Sequence, residues 1–323
     1  MLVIDAQLHE PAMSLEWAGV DQATRFDLMT EVTLAHMRAV GVDRAVLYPI
    51  SELGWGEYAA ARLPDRFSMV VGALVASEDG SMALRGAAGS VPIPSIDDWV
   101  TEKSHTPGVL GIRLGRPSAD LFEPALKACA REGLPVVVLP PSKSSDPRAF
   151  GGDFTAIEAI AQRYPELTLI VDHLGLSQWP SPLDSPPFKE LPGLLELAKY
   201  PNVAIKFAGA HSMSQQPYPF DDLWPHLRRI VDAYGARRLM WGTDISRFYT
   251  RVGFSKFPTP GPGQNEPTYL DGIASELVRP EDGPVVPHNY AQALFHLKES
   301  DQLSAEEKEW IFGRTIQELL RWP

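Results

Sequence analysis

The chain has 323 residues, of which 44% are apolar, enough for one large domain or two small ones with a sizeable core. Its formal net charge of -12 argues against nucleic acid or an anionic membrane as a partner. Cys129 is the one cysteine, which excludes an intramolecular disulfide and a cysteine-built metal cluster. No apolar run is long enough to span a bilayer, and the opening MLVIDAQLH is typical of a strand rather than a signal peptide. We therefore expect a cytoplasmic protein.

One pattern returns along the chain: an amphipathic helix, a turn with Gly or Pro, and then a short apolar strand. In its first occurrence, one helical face carries Leu28, Val32, Ala35 and Ala39, and Gly41 ends the helix. The strands are continuously apolar, as in VVVL and LTLIV, which is typical of parallel strands covered by helices. This alternation predicts βαβ units and a parallel sheet.

Eight segments fit the strand description, and eight parallel strands predict an α/β fold, a closed (β/α)8 TIM barrel in a single domain over residues 1–323. The alternative is an open doubly wound sheet, but no glycine-rich phosphate loop follows the first strand. The count is weakest at its fourth segment, which no strong helical pattern precedes. The segments are Val3–His9, Ala45–Ile50, Ser68–Leu74, Val109–Leu114, Val136–Leu139, Leu167–His173, Val203–Phe207 and Leu239–Asp244.

A long loop rich in Pro and Gly, at residues 253–288, follows the last strand. Loops of this length are usually functional or disordered, and in a barrel this one would lie over the mouth. The chain then returns to helix. Ser304 and Glu307 have the spacing of a capping box, and we expect a closing helix from there to Leu320.

Polar residues lie where these strands end, and in a (β/α)8 barrel the C-terminal strand ends carry the chemistry. The first strand contributes Asp5, Gln7 and His9. Residues two apart on a strand share a face, so we expect this trio to point into the barrel and the apolar residues Ile4, Ala6 and Leu8 to point outward. The later strand ends contribute Arg113, Asp172, His173, Lys206 and Asp244.

Each of these residues has a purely structural alternative. Lys206 could reach from its strand end to solvent, and Arg113 could form an ion pair with Asp172. His173 could be a hydrogen-bonded core histidine, and Asp244 could cap a helix. Several polar groups at the same end of buried strands are nevertheless hard to explain by packing alone, so we interpret them as one site.

The remaining histidines carry less information. His211 follows the seventh strand closely enough to reach the barrel mouth, and we include it among the candidate substrate-binding residues. We expect surface or helix-face positions for His36, His105, His226, His288 and His296.

The motifs DAQLH, GIRL, VDHLG and WGTD, in that order, resemble the amidohydrolase-related family of the metallo-dependent hydrolase superfamily. The resemblance extends from Ile4 to the closing GRTIQELLRWP and implies a (β/α)8 barrel. Members of this family include lactonases that act on carboxylated lactones and sugar lactones. They also include decarboxylases of the aminocarboxymuconate semialdehyde type.

The chain departs from this family at the metal ligands. Metal-binding members open with His-x-His, but here Gln7 takes the first position and only His9 remains. Those members add a histidine after the fifth strand, where this chain has Pro140 and Pro141. Zinc sites take three or four protein ligands, and only His9 and Asp244 remain. The resemblance therefore implies the lactonase branch that includes metal-free members, and a single zinc at His9 and Asp244 is not favoured.

These residues suggest a hydrolase in which Asp244 is a general base and activates water against an ester or lactone carbonyl. His173, together with His9 and Gln7, would orient the water or stabilise the oxyanion, which is often the largest catalytic contribution. Arg113 would bind a substrate carboxylate through its planar guanidinium. Lys206 and Arg247 would add positive charge, so we expect a small anionic substrate.

Two other functions remain open at this point. A decarboxylase of a carboxylated aromatic or enoic acid could use Arg113 in the same way, although decarboxylases of this family mostly rely on a metal. A non-catalytic binding barrel is the second, and the joint presence of the charged residues argues against it. Homo-oligomerisation through the surface around Trp179-Pro180 and Trp322-Pro323 is a further expectation.

Overall fold

The computed structural model describes residues 1–11, 19–50, 52–86, 89–115, 117–143, 150–178, 188–245 and 289–322. Arg247, the loop at 253–288 and the Trp179-Pro180 pair lie outside these residues. The strands in the described part form one sheet: β1 (Ile4–Leu8), β2 (Arg44–Leu47), β3 (Phe67–Ala76), β4 (Met82–Gly86), β5 (Gly89–Ile93), β6 (Val109–Gly115), β7 (Val136–Leu139), β8 (Leu169–Val171), β9 (Val203–Lys206) and β10 (Leu239–Met240).

Helices cover the outside of this sheet. They are α1 (Gln22–Val40), α2 (Leu53–Arg62), α3 (Ile96–His105), α4 (Glu123–Glu132), α5 (Thr155–Arg163), α6 (Leu191–Glu196), α7 (Trp224–Tyr234), α8 (Tyr290–Lys298), α9 (Ala305–Glu309) and α10 (Thr315–Leu319). A π-helical turn at Trp310–Arg314 joins α9 to α10.

Eight of the strands are parallel and follow one another in the order β1-β2-β3-β6-β7-β8-β9-β10. Two backbone hydrogen bonds then link the segment after β10 to β1. Ala6 N–H donates to the Trp241 carbonyl, and Asp244 N–H donates to the Gln7 carbonyl, each at 3.0 Å. The predicted (β/α)8 barrel is confirmed.

The structure refines the predicted elements in two places. Helix α3 precedes β6, so the gap before the fourth predicted strand is filled by a helix that the sequence pattern did not reveal. Strands β4 and β5 form an antiparallel hairpin on the extended β3, which was not predicted either. The hairpin lies off the barrel path, so the eight-strand count is unaffected.

The barrel interior has its own apolar cluster, separate from the larger core between strands and helices. Every barrel strand contributes to it, and three residues at the C-terminal end of the chain, Ile316, Leu320 and Trp322, pack against it. The Arg44 guanidinium at the start of β2 lies over the Trp322 ring at 5.4 Å, so these residues close the N-terminal end of the barrel. The other members are the strand residues Ile4, Ala6, Val46, Val70, Leu110, Val137, Ile170, Ala204 and Met240, together with Tyr48 directly after β2.

The predicted orientation of the first strand is partly wrong. Ile4 and Ala6 belong to the interior cluster, whereas Asp5 bonds to residues after β10 and on α8. The pairing register of β1 with β2 shifts between Asp5 and Leu8, and such a bulge changes which face later residues occupy. Leu8 therefore packs in the outer core, as predicted.

The predicted apolar face of α1 is wrong. Leu28, Ala35 and Ala39 are exposed, and the buried face carries Phe26, Met29, Thr30, Thr33, Leu34 and Met37. The two threonines are compatible with burial because their hydroxyls donate to helix carbonyls four residues earlier. Hydrophobicity alone assigns these threonines to the wrong face.

The predicted capping box is confirmed. Ser304 Oγ accepts from Glu307 N–H, and the Glu307 carboxylate accepts from Ser304 N–H. The helical region runs on through α10 to Leu319. Within the described residues, no helix has the length and apolarity that crossing a membrane requires.

Candidate active site

Asp244 lies just beyond β10, on the segment that closes the barrel, and its side chain is buried. Its backbone has a φ of +53°, a left-handed conformation that residues with a side chain rarely adopt. Asp244 Oδ1 is 2.9 Å from His9 Nε2, and its Oδ2 is 3.8 Å from His173 Nε2. The structure therefore brings the three predicted catalytic residues together.

The His9 ring is held on both of its nitrogens. Its Nδ1 lies 2.5 Å from the Tyr48 carbonyl, which can only accept, so Nδ1 carries a hydrogen. Its Nε2 faces Asp244, with the Gln7 amide nitrogen 3.3 Å away. Burial by itself would lower the pKa of His9, but the neighbouring Asp244 carboxylate outweighs it and the pKa is raised.

The Gln7 side chain is buried and lies beside His9. Its amide oxygen has no hydrogen-bond partner among the described residues. A buried acceptor of this kind normally has a partner, so it is suited to accept a hydrogen bond from a water or ligand.

His173 lies in a 3-10 turn, Asp172–Gly175, directly after β8. Its φ is +52°, and Leu174 follows at +59°, so a second strained backbone segment adjoins the site. Arg113 Nη2 is 3.3 Å from His173 Nε2 and favours an unprotonated nitrogen there. The carboxylates of Asp172, at 3.7 Å, and Asp244 favour a proton on the same atom.

Asp172 is fully buried between two cations. Its Oδ2 is 2.7 Å from Arg113 Nη2, and its Oδ1 is 2.9 Å from Lys206 Nζ. Burial opposes ionisation, but the charges of His173, Lys206 and Arg113 outweigh it and hold the pKa of Asp172 far below its usual range. The ion pair considered for Arg113 is therefore present in the structure.

Lys206 ends β9 and is fully buried, so the alternative in which it reaches to solvent is wrong. Its Nζ lies 4.0 Å from the centre of the Tyr48 ring, within the range of a cation–π interaction. Burial lowers the pKa of Lys206 to about 8, against the opposing effect of Asp172.

Tyr48 is the residue that the sequence interpretation missed. Besides its contacts with His9 and Lys206, its ring lies 5.9 Å from the Arg113 guanidinium carbon. An aromatic residue directly after the apolar β2, in RAVLYPI, was the available signal. An interior position is ambiguous for tyrosine in sequence because the ring also suits an ordinary core.

His211 is buried in the 3-10 turn Ala210–Met213 that follows β9. Its ring packs edge-on against that of His296 on α8, with 6.1 Å between the centroids. His296 is on a helix face, as expected, but that face is buried. The substrate-binding role of His211 stays a prediction.

A family model described as amidohydrolase matches residues 4–322. The chain belongs to the amidohydrolase family. Two curated relatives of this amidohydrolase are 4-sulfomuconolactone hydrolase of Hydrogenophaga intermedia and L-fucono-1,5-lactonase of Burkholderia ambifaria. The first is 34% identical over 28% of this chain and 29% of the relative, and the second is 32% identical over 30% and 33%. The matches thus span about a third of either relative.

Solved structures share the barrel of this amidohydrolase along its full length. An amidohydrolase from Burkholderia multivorans with bound Zn has a TM-score of 0.61 and 16% identity, with all of both chains covered. A putative 2-pyrone-4,6-dicarboxylic acid hydrolase from Pseudomonas putida has a TM-score of 0.56 and 19% identity, covering 99% of this chain and 98% of that one. At these identities the likeness shows the fold.

In the part of the chain that the structure describes, the side chains around Asp244 offer few ligands for a tightly held zinc ion. Among the described residues, no group of three or more His, Cys, Asp or Glu could hold a metal. Of the ligand positions that the family resemblance implies, His9 and Asp244 supply two donors, and structural or catalytic zinc takes three or four. Arg113 and Lys206 add two cations to the same cluster, which further opposes binding of a divalent ion.

Proposed function

We propose that this amidohydrolase cleaves a carboxylated lactone, or a related ester, by attack of water with Asp244 as general base. The placement of the Asp244 carboxylate between His9 and His173 at the barrel mouth carries this proposal. His9 lies 2.9 Å from one oxygen of this carboxylate and His173 lies 3.8 Å from the other, so both imidazoles are close enough to orient a carboxylate that takes a proton from water.

The reaction needs one proton to be taken up and returned. Asp244 accepts a proton from water as the water oxygen bonds to the lactone carbonyl carbon. His173, 3.8 Å from Asp244 Oδ2, and Arg113, 3.3 Å from His173, would act as donors that stabilise the developing oxyanion. The ring C–O bond then breaks, and Asp244 returns its proton to the departing oxygen, which gives a hydroxy acid.

The trio of Arg113, Asp172 and Lys206 supports an anionic substrate. Arg113 and Lys206 carry two positive charges, and Asp172 between them supplies one negative charge. The trio therefore carries one net positive charge, although the chain as a whole is acidic. The relatives' names, a muconolactone hydrolase and a sugar lactonase, support the same class of reaction.

Replacement of Asp244 tests the proposal. Asp244→Asn keeps the shape but removes the basic oxygen, and we expect hydrolysis of any carboxylated lactone that the wild type accepts to fall by about a thousandfold or more in kcat. The comparison requires an unchanged circular dichroism spectrum. Asp232→Asn is the matched control, because this carboxylate is on the surface of α7 and pairs with Arg228. Near-wild-type turnover by Asp244→Asn on every active lactone would show that another group is the base.

Metal independence is part of the proposal and has its own measurement. Because the described residues include no group of three or more donors that could hold zinc, we expect protein purified without chelator to contain far less than one equivalent of transition metal. Dialysis against a chelator should leave kcat for lactone hydrolysis unchanged. Mass spectrometry measures the metal content before and after dialysis. Stoichiometric zinc, with activity lost on chelation and restored by zinc, would contradict it.

A further inference from the structure

Asp5 on β1 is a fully buried carboxylate that the proposed reaction does not use. Each of its oxygens accepts two hydrogen bonds. Oδ1 accepts from the N–H groups of Gln7, at 3.0 Å, and Thr243, at 2.9 Å. Oδ2 accepts from the hydroxyls of Thr243, at 2.5 Å, and Tyr290, at 2.9 Å.

The two N–H groups can only donate, and an ionised carboxylate can accept from them and from both hydroxyls at once. Burial raises the pKa of Asp5 to about 6, and the hydrogen bonds from Thr243, Gln7 and Tyr290 keep it from rising further. Asp5 is therefore ionised at neutral pH.

The hydrogen bonds of Thr243 hold the backbone in place on both sides of Asp244. Thr243 directly precedes Asp244, and both its N–H and its hydroxyl go to Asp5. The same hydroxyl accepts from the N–H of Ile245, the residue that follows. Asp244 N–H itself donates to the Gln7 carbonyl on β1.

These hydrogen bonds matter because Asp244 has a left-handed backbone conformation, with a φ of +53°. A residue with a side chain leaves this conformation unless its surroundings hold it there. Relaxation to an ordinary φ would swing the carboxylate away from His9 and His173.

We propose that Asp5 is a positioning residue, which acts through Thr243 to hold Asp244 in the orientation in which its carboxylate faces His9 and His173. The inference rests on the proposed function, since it assigns a support to the base named there. Asp5 does not touch the reacting atoms.

Thr243 offers a sharper test than Asp5, whose removal could prevent folding. Thr243→Val keeps the volume but removes the hydroxyl between Asp5 and Ile245, and Thr243→Ser keeps the hydroxyl. We expect Thr243→Val to lower kcat for lactone hydrolysis at least tenfold with KM within twofold of wild type. Thr243→Ser should stay within threefold of wild type in kcat.

Thr315→Val is the matched control for deleting a buried threonine hydroxyl. Thr315 lies on α10 and is fully buried. Its hydroxyl donates to the Ala236 carbonyl at 2.9 Å. We expect wild-type kcat from this variant. A similar loss of kcat in Thr315→Val would reduce the Thr243 result to general destabilisation and overturn the proposal.

Hydrogen exchange measures how firmly the backbone around Asp244 is held, and the experiment needs no substrate. Mass spectrometry of the peptide that contains Asp244 should show faster amide exchange in Thr243→Val than in Thr243→Ser or wild type. Equal exchange, or an unchanged kcat in Thr243→Val while Asp244→Asn is inactive, would overturn the positioning role and leave the proposed function intact. If Asp244→Asn is fully active, the base assignment fails, and the exchange result still decides whether Asp5 holds this backbone.

Discussion

Lys206 of this amidohydrolase has an unusual environment for a charged side chain, because it is fully buried. An ammonium group at zero exposure is costly to bury, and only a close partner makes it tolerable. Asp172 and the Tyr48 ring supply such contacts at 2.9 and 4.0 Å. Burial still lowers the pKa of Lys206 to about 8, so its charge titrates in an accessible range.

This pKa predicts how substrate affinity changes with pH. Below about pH 8 Lys206 is protonated and would attract the anionic substrate proposed above, and the charge is lost as the pH rises through the pKa. We expect KM for a carboxylated lactone to rise between pH 7 and 9.5 while wild type remains folded. Steady-state kinetics across that range measures it.

Lys206→Met is the control, since its side chain is of similar length and Arg113 remains to pair Asp172. The variant should show a raised KM at every pH without the additional rise above pH 8. An identical rise in the variant would mean that another group titrates.

The candidate residues could be predicted from sequence because they stand at the ends of recognisable apolar strands. Their ion pairing could not be predicted, because only the closed barrel sets the distances between them. Arg113 comes from β6, Asp172 from the turn after β8, and Lys206 from β9. The left-handed φ of Asp244 and His173 was also hidden, since neither residue is glycine.

The C-terminal helices act as part of the barrel wall. The π-helical turn between α9 and α10 includes Ile311, whose carbonyl accepts the Trp241 N–H at 2.8 Å. Trp241 follows the short β10, so a helix replaces the hydrogen-bond partner that a longer strand would have had. Trp241 also donates its indole N–H to the Ala293 carbonyl on α8.

The capping box of α9 should contribute stability rather than activity. Ser304→Ala removes the acceptor for Glu307 N–H, and we expect the free energy of unfolding to fall by about 1 kcal/mol. Urea denaturation followed by circular dichroism measures the change, and kcat should stay at the wild-type value. Ser304→Asp keeps a capping oxygen and should recover most of the loss. Unchanged stability in Ser304→Ala would show that the cap contributes little.

Strand identities were easier to predict than helix faces, for a physical reason. Strands covered on both sides are apolar throughout, as β7 is, and its predicted bounds match the structure. The buried face of α1 includes Thr30 and Thr33, whose hydroxyls bond within the helix. The β4–β5 hairpin is partly exposed and has no strong apolar pattern.

At the scale of the whole molecule, the repeated helix–strand alternation was sufficient to predict the barrel. The inward and outward positions on β1 were not predictable, because a single register shift between Asp5 and Leu8 reverses the alternation. Asp5, before the shift, bonds to Thr243 after β10, whereas His9, beyond the shift, reaches Asp244 in the candidate site.

The packing of Ile316, Leu320 and Trp322 against the interior cluster has a consequence for how small molecules enter and leave the barrel. In the part of the chain that the structure describes, these residues block one end of the barrel, so under the proposed function the lactone and its hydroxy acid product would use the same opening at the other end. Both would be anions and would compete for the same guanidinium and ammonium groups. We therefore expect the hydroxy acid to inhibit turnover as it accumulates.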